Sequence, residues 1–326
     1  MFGNCCGGSK QDKKLSFNYE TAVKQREKSS YEITMSTIVS DRGALSQKCQ
    51  FHPPIVSNIN FFPGINVECY QIKKINNQKI ILLYIKNVAK QVKDSNVLLL
   101  YSHNNKEDLG TVFPFLVDLS VQLKSDVVSY DYSGYGQSEG KPSLDEVNTD
   151  IEQVMDYCVN NLGYEIENTV LIGKTFGVFP TLYLAGLSKY ISVKGMILIE
   201  ASIGKSVVVK GSATNMILSM AKETMSPALL AHGKYNSYIP CQESEHISKM
   251  FRRGITWFPK KADDNIVEEY RSKFYRKVSM FLSHLIVQRN KKVHHELDIT
   301  HESETENTYL DFDKNQMVFK PSLESL

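Results

Sequence analysis

Gly173-Lys174-Thr175-Phe176-Gly177 has the spacing of a nucleophile turn, Gly-x-Ser-x-Gly, with threonine in the serine position. In such a turn a strand passes sharply into a helix, and the strained central residue presents its hydroxyl above the sheet. That hydroxyl attacks an acyl carbon when a histidine takes its proton and a carboxylate fixes the histidine's tautomer. The chemistry suggested is cleavage of an ester or thioester. The chain must then also supply a base, an acid and a pocket for the oxyanion. Threonine is a poor fit to the turn itself, because a β-branched residue is costly in a left-handed backbone.

The elements around the pentapeptide alternate. Residues 67–75 and 80–85 are β-rich runs separated by Asn76-Asn77-Gln78-Lys79, and they read as a hairpin. Apolar strands are expected over 96–103, 126–132, 169–174, 193–201, 226–232 and 255–258. Helices are expected over 111–124, 144–162, 177–189, 240–252 and 265–288. The helix at 144–162 is strongly amphipathic, with Val147, Ile151, Val154, Met155 and Cys158 on one face. Strands that are apolar throughout and alternate with helices imply a mostly parallel sheet covered on both faces. Residues 204–223 stand where a short cap would be inserted.

The bulk composition narrows the class. The chain has 326 residues, a net charge of +2, 42% hydrophobic and 23% charged residues, which suits a globular protein with arms. The charge balance does not call for nucleic acid. Cysteines 5, 6, 49, 69, 158 and 241 show no metal-ligand spacing and suit reduced thiols, so no metal and no cofactor are expected. No apolar run approaches the roughly 20 residues that span a bilayer, and residues 1–50 are polar with no signal-peptide core. The organisation read from this is a polar N-terminal arm (1–50), a domain (51–290) and a polar, flexible C-terminal tail (291–326) in a cytoplasmic protein.

Four stretches together resemble the protein-depalmitoylating branch of the α/β-hydrolase-domain family. They are Ser129-Tyr-Asp-Tyr-Ser-Gly-Tyr-Gly-Gln-Ser-Glu-Gly-Lys-Pro-Ser143, Leu98-Leu-Leu-Tyr-Ser-His-Asn-Asn-Lys-Glu-Asp-Leu-Gly110, Ile172-Gly-Lys-Thr-Phe-Gly-Val-Phe-Pro-Thr181 and Ser226-Pro-Ala-Leu-Leu-Ala-His-Gly233. The resemblance runs over roughly residues 50–288 and implies an α/β-hydrolase fold with an N-terminal hairpin and a minimal cap. It places the oxyanion donors at the backbone N–H groups of Asn105 and Phe176. Asn104 stands where the family has glycine, and asparagine tolerates a left-handed backbone. The family acid, His-Gly-x-x-Asp, falls on Asn236 in His232-Gly233-Lys234-Tyr235-Asn236. The family base, registered on Ile266, falls on Asp263; a slip of one residue gives Ala262 or Asp264, and no histidine lies between His246 and His284.

All three members of the triad are thus replaced, at Thr175, Asn236 and Asp263. In serine hydrolases the loss of one member lowers turnover by about 10⁴–10⁶-fold. The expectation is a pseudoenzyme that binds or scaffolds an unidentified protein partner. One alternative is an acyl hydrolase using Thr175 with an unusual base, such as a histidine of the tail (His294, His295 or His301). Another is a structural component of a larger assembly. Asp263 and Asp264 also read as an acidic pair favourable at a helix N-terminus. His103 and His232, at strand ends, read as structural. The family's acylated N-terminal cysteine cluster implies lipidation of Cys5 and Cys6, and Lys10, Lys13 and Lys14 would add attraction to an anionic membrane surface.

Overall fold

In the computed structural model, residues 66–87, 96–202, 212–297, 308–311 and 316–319 are described. The arm with Cys5 and Cys6, and the tail histidine His301, lie outside them. Strands β1 (Asn66–Lys73) and β2 (Lys79–Lys86) form the expected hairpin. After it come β3 (Leu98–Ser102), α1 (Leu109–Leu123), β4 (Asp126–Tyr130), α2 (Leu144–Asn160), β5 (Thr169–Lys174), α3 (Val178–Gly186) and β6 (Gly195–Ile199). The chain continues through α4 (Ser212–Glu223), β7 (Ala228–Ala231), α5 (Cys241–Ser248), β8 (Gly254–Trp257), α6 (Ile266–Glu269) and α7 (Arg271–Leu297). The eight strands are ordered β1-β2-β4-β3-β5-β6-β7-β8, antiparallel at β1–β2 and β2–β4 and parallel from β4 onward.

Strand side chains alternate into two cores, one on each face. Leu98 and Leu100 of β3 join the α2 and α3 side chains, whereas Leu99 and Tyr101 join those of α1 and α7. The five apolar residues expected on one face of α2 are all fully buried. Ser143 caps that helix, its Oγ accepting the Glu146 N–H at 3.1 Å.

Four details depart from the sequence reading. Helix α1 begins at Leu109, two residues early, because Asp108 caps it by accepting the Thr111 N–H at 2.8 Å. The single helix expected over 265–288 is interrupted at Tyr270 (φ −115°, ψ 31°). Its second part runs on to Leu297, past the expected domain limit at 290. The tail, read as polar and flexible, carries an antiparallel pair of strands, β9 (Thr308–Asp311) and β10 (Gln316–Phe319).

A buried ion network fixes the hairpin to the rest. Lys74 Nζ donates to Asp150 Oδ1 (2.6 Å), Ser133 Oγ (2.9 Å) and the Glu146 carboxylate. Asp150 Oδ2 also accepts the Ser133 N–H at 2.7 Å, so the β1–β2 turn, the loop after β4 and α2 share one cation.

Candidate active site

The turn after β5 has the geometry its glycines predict. A Cβ on Gly177 would lie 2.0 Å from the Ser102 carbonyl oxygen, and one on Gly173 would lie 2.5 Å from the Gly177 carbonyl oxygen. Neither position accepts a side chain, so the chain passes directly over the end of β3. Thr175 sits between them at φ 53°, the left-handed conformation of a nucleophile position, and is buried. Among the described residues none hydrogen-bonds the Thr175 hydroxyl.

The oxyanion loop is built differently from expectation. Asn104 is not among the positive-φ residues; it replaces glycine through its side chain instead. Its Oδ1 accepts the Asn105 N–H at 2.8 Å, so this candidate oxyanion donor is already engaged. Asn104 N–H donates to Glu107 Oε2 at 3.0 Å. The loop is pinned from below by Tyr132, whose hydroxyl donates to the His103 carbonyl at 2.6 Å, and by Tyr135, which donates to that of Asn105 at 3.0 Å. Phe176, the second candidate donor, is buried; its ring stacks on Phe179 at 6.4 Å and meets Tyr132 edge-on at 5.7 Å.

The acid and base turns stand side by side, as the resemblance requires. A Cβ on Gly233 would come 2.2 Å from the Asp263 carbonyl oxygen, and the Tyr235 N–H donates to Ala262 O at 2.8 Å. Their side chains, however, are engaged elsewhere. Asn236 Oδ1 accepts the N–H groups of Tyr238 (3.0 Å) and Ile239 (2.7 Å), closing an Asx turn. Asp263 is exposed and bonded to Glu269, which holds its carboxyl below the usual range and raises that of Glu269. Asp264, the alternative register, accepts the N–H (2.6 Å) and hydroxyl (2.9 Å) of Ser237. Both strand-end histidines are structural in their bonding. Buried His232 contacts Ser244 Oγ (2.6 Å) and the Ile239 carbonyl (2.8 Å), and burial lowers its pKa. His103 Nδ1 donates to Asn104 O at 2.7 Å, and its Nε2 lies 3.6 Å from Asp131 Oδ1.

Beside the elbow lies a group of charges. Lys174 Nζ donates to Glu107 Oε1 at 3.1 Å. Burial pushes the Glu107 carboxyl up, but Lys174 and the Asn104 N–H outweigh it and leave it below its usual range. Lys174 is raised, chiefly by Glu107. Glu200 directly follows β6, is 5% exposed and has φ 53°. Burial pushes its carboxyl up to about 7, against the pull of Lys174.

The same architecture is found in solved esterases. The Pyrococcus furiosus esterase Pf2001 superposes with a TM-score of 0.59 over 72% of this chain and 98% of that one, at 14% identity. Est1E of Butyrivibrio proteoclasticus, solved with ferulic acid, gives 0.53 over 66% and 98%, at 15% identity. The chain is an α/β-hydrolase by fold. Its sequence relatives carry that name. Alpha/beta hydrolase domain-containing protein 17C of Xenopus laevis is 41% identical over 91 residues, 28% of this chain and 29% of that protein. The human protein 17B is 30% identical over 119 residues, 36% and 40% of the two chains. The protein aho-3 of Caenorhabditis elegans is 38% identical over 98 residues, 30% of each. The matched region thus spans less than half the length of these curated relatives. No protein-family model matches.

The elbow is formed, and the two turns that would carry acid and base touch. Among the residues whose side chains are described no histidine hydrogen-bonds Thr175, and none form a group able to hold a metal ion. Sequence reasoning missed Glu107, Lys174 and Glu200. Lys174 was visible as a charge inside the elbow, and Glu200 as a carboxylate closing an apolar strand, but nothing in their spacing says that they meet.

Proposed function

We propose that this chain is a catalytically inactive α/β-hydrolase-like protein that binds or scaffolds a partner protein. The observation that carries the reading is the engagement of the replaced triad: Asn236 closes its own turn, Asp263 turns outward to Glu269, and no described residue hydrogen-bonds Thr175. Triad members act as a unit, and oxyanion donors alone leave about 10³–10⁴-fold over water. Here one of those donors, the Asn105 N–H, is held by Asn104. The test is fluorophosphonate labelling and thioester turnover of the wild type beside the triple variant Thr175→Ser/Asn236→Asp/Asp263→His. The wild type is expected to be silent and the triple variant to label. Wild-type labelling lost on Thr175→Ala would establish a threonine hydrolase instead.

A second part of the reading concerns location. Cys5 and Cys6 are proposed to be S-acylated and to hold the protein on the cytoplasmic face of a membrane, with Lys10, Lys13 and Lys14 assisting. Among the described residues no helix is long and apolar enough to cross a membrane, so any anchoring by them would be peripheral. Acyl exchange on the wild type and on Cys5→Ser/Cys6→Ser checks this; equal signals refute it.

A further inference from the structure

The sheet ends at β8, and among the described residues that strand has one ladder partner, β7. The Arg253 and Trp257 carbonyls accept the Ala228 and His232 N–H groups. By strand alternation the N–H and C=O of Thr256 therefore point away from β7. Thr256 is also the one exposed residue of the strand. An open edge of this kind is a template for another strand. The tail stands next to it. Strand β9 comes within 8 Å of β8, Cα to Cα, without entering its ladder. The β9–β10 pair carries Thr308, Tyr309, Val318 and Phe319, residue types that favour strands. Charge favours the same partners. Arg252-Arg253 and Lys260-Lys261 flank β8 and are exposed, whereas residues 298–313 carry six carboxylates and no lysine or arginine.

We propose that the open edge of β8 is a strand-docking surface: the chain's own β9 shields it, and a partner protein binds there by presenting an acidic, extended segment in place of β9. Main-chain hydrogen bonds to Thr256 would supply affinity, and the flanking arginines and lysines would select acidic segments. The cis occupant is suited to displacement. Strand β9 is four residues long and lies near the edge without belonging to the sheet. Its presence also keeps the edges of two copies from pairing with each other. This inference deepens the reading of the chain as a binder of a partner protein. It makes no use of Thr175, Asn236 or Asp263, so a hydrolase activity found at Thr175 would leave it standing.

The experiment compares the full chain with Leu310→Pro, which breaks β9 and leaves the tail in place. Amide hydrogen exchange is read at Thr256, with the next residue, Trp257, as reference for the strand as a whole. Thr256 should be protected in the wild type and exchange about tenfold faster in Leu310→Pro, with Trp257 unchanged. The binding probe is a fluorescent peptide of the tail's own sequence, residues 304–313, followed by anisotropy. It should bind Leu310→Pro about tenfold more tightly than the wild type, and less tightly in 0.5 M salt, as screening of the flanking cations requires. A wild-type Thr256 that exchanges as fast as open chain overturns the proposal with no variant needed. So does a Leu310→Pro chain that fails to bind the peptide. If light scattering shows that chain as a dimer that excludes the peptide, the edge takes a second copy, and the proposal of an acidic partner segment is overturned as well.

Discussion

Replacing Lys74 by methionine tests whether the hairpin is held by charge or by packing. Among the described residues the ammonium is the only cation paired with Asp150, whose side chain is fully buried, while the Glu146 side chain is 32% exposed. Methionine fills the stem and removes the charge, leaving Asp150 with the N–H and hydroxyl of Ser133 alone. Breaking a buried pair by deleting one partner costs about 3–5 kcal/mol. With a denaturant slope of about 3 kcal/mol/M, that is a fall of about 1–2 M in the urea midpoint. The cost should depend on pH. Burial raises the Asp150 carboxyl even with Lys74 present. Without the lysine it rises further, so stability is retained at low pH and lost as pH rises. The variant should lie closer to wild type at pH 5 than at pH 8. Adding Asp150→Asn, which keeps an acceptor for Ser133, should recover about 2 kcal/mol. A Lys74→Met variant within 1 kcal/mol of wild type at pH 8, or a double variant no better than the single, would refute the argument.

Two further changes probe the vestigial reading of the triad by stability alone. Thr175→Gly removes a β-branched side chain at φ 53° and should stabilise by about 1 kcal/mol in thermal denaturation; a comparable loss would show that the threonine side chain holds something in place. Asn236→Ala deprives the Tyr238 and Ile239 N–H groups of their acceptor and should cost about 1–3 kcal/mol, whereas Asn236→Asp should stay within about 1 kcal/mol of wild type. A neutral Asn236→Ala would remove the structural account of that residue.

Much of the fold was legible because its signals are local. Apolar strand runs, the amphipathic face of α2 and the Asn-rich turn between β1 and β2 each follow from residues close in sequence. The elbow was legible too, since Gly173 and Gly177 are dictated by carbonyl oxygens within van der Waals reach. What escaped depends on strand order. Glu107, Lys174 and Glu200 are far apart in sequence and meet because β3, β5 and β6 are neighbours. Asn104 escaped for another reason. It was read by its backbone tolerance, but its side-chain carbonyl is what it contributes, and that choice rests on whether the Asn105 N–H lies within reach. The early start of α1 was within reach of the sequence, because Asp108 three residues before Thr111 is a capping pattern.

The strain at Thr175 has a reason in packing that holds with or without catalysis. Two adjacent strands, β5 and β6, each end in a left-handed non-glycine residue at φ 53°, Thr175 and Glu200. The first is forced by topology. With the Gly177 backbone pressed against Ser102, the chain leaving β5 has no room for a wider turn into α3. The fold thus preserves the nucleophile geometry whether or not a nucleophile occupies it. The acid and base turns are also held through backbone: Gly233 packs against the Asp263 carbonyl, the Tyr235 N–H donates to Ala262 O, and the Ser237 N–H donates to Asp264. None of those contacts uses the Asn236 or Asp263 side chain, and Asn236 closes its own loop. The nucleophile turn is required by packing whether or not hydrolysis occurs, so an intact elbow beside Asn236 and Asp263 agrees with the inactive protein proposed above.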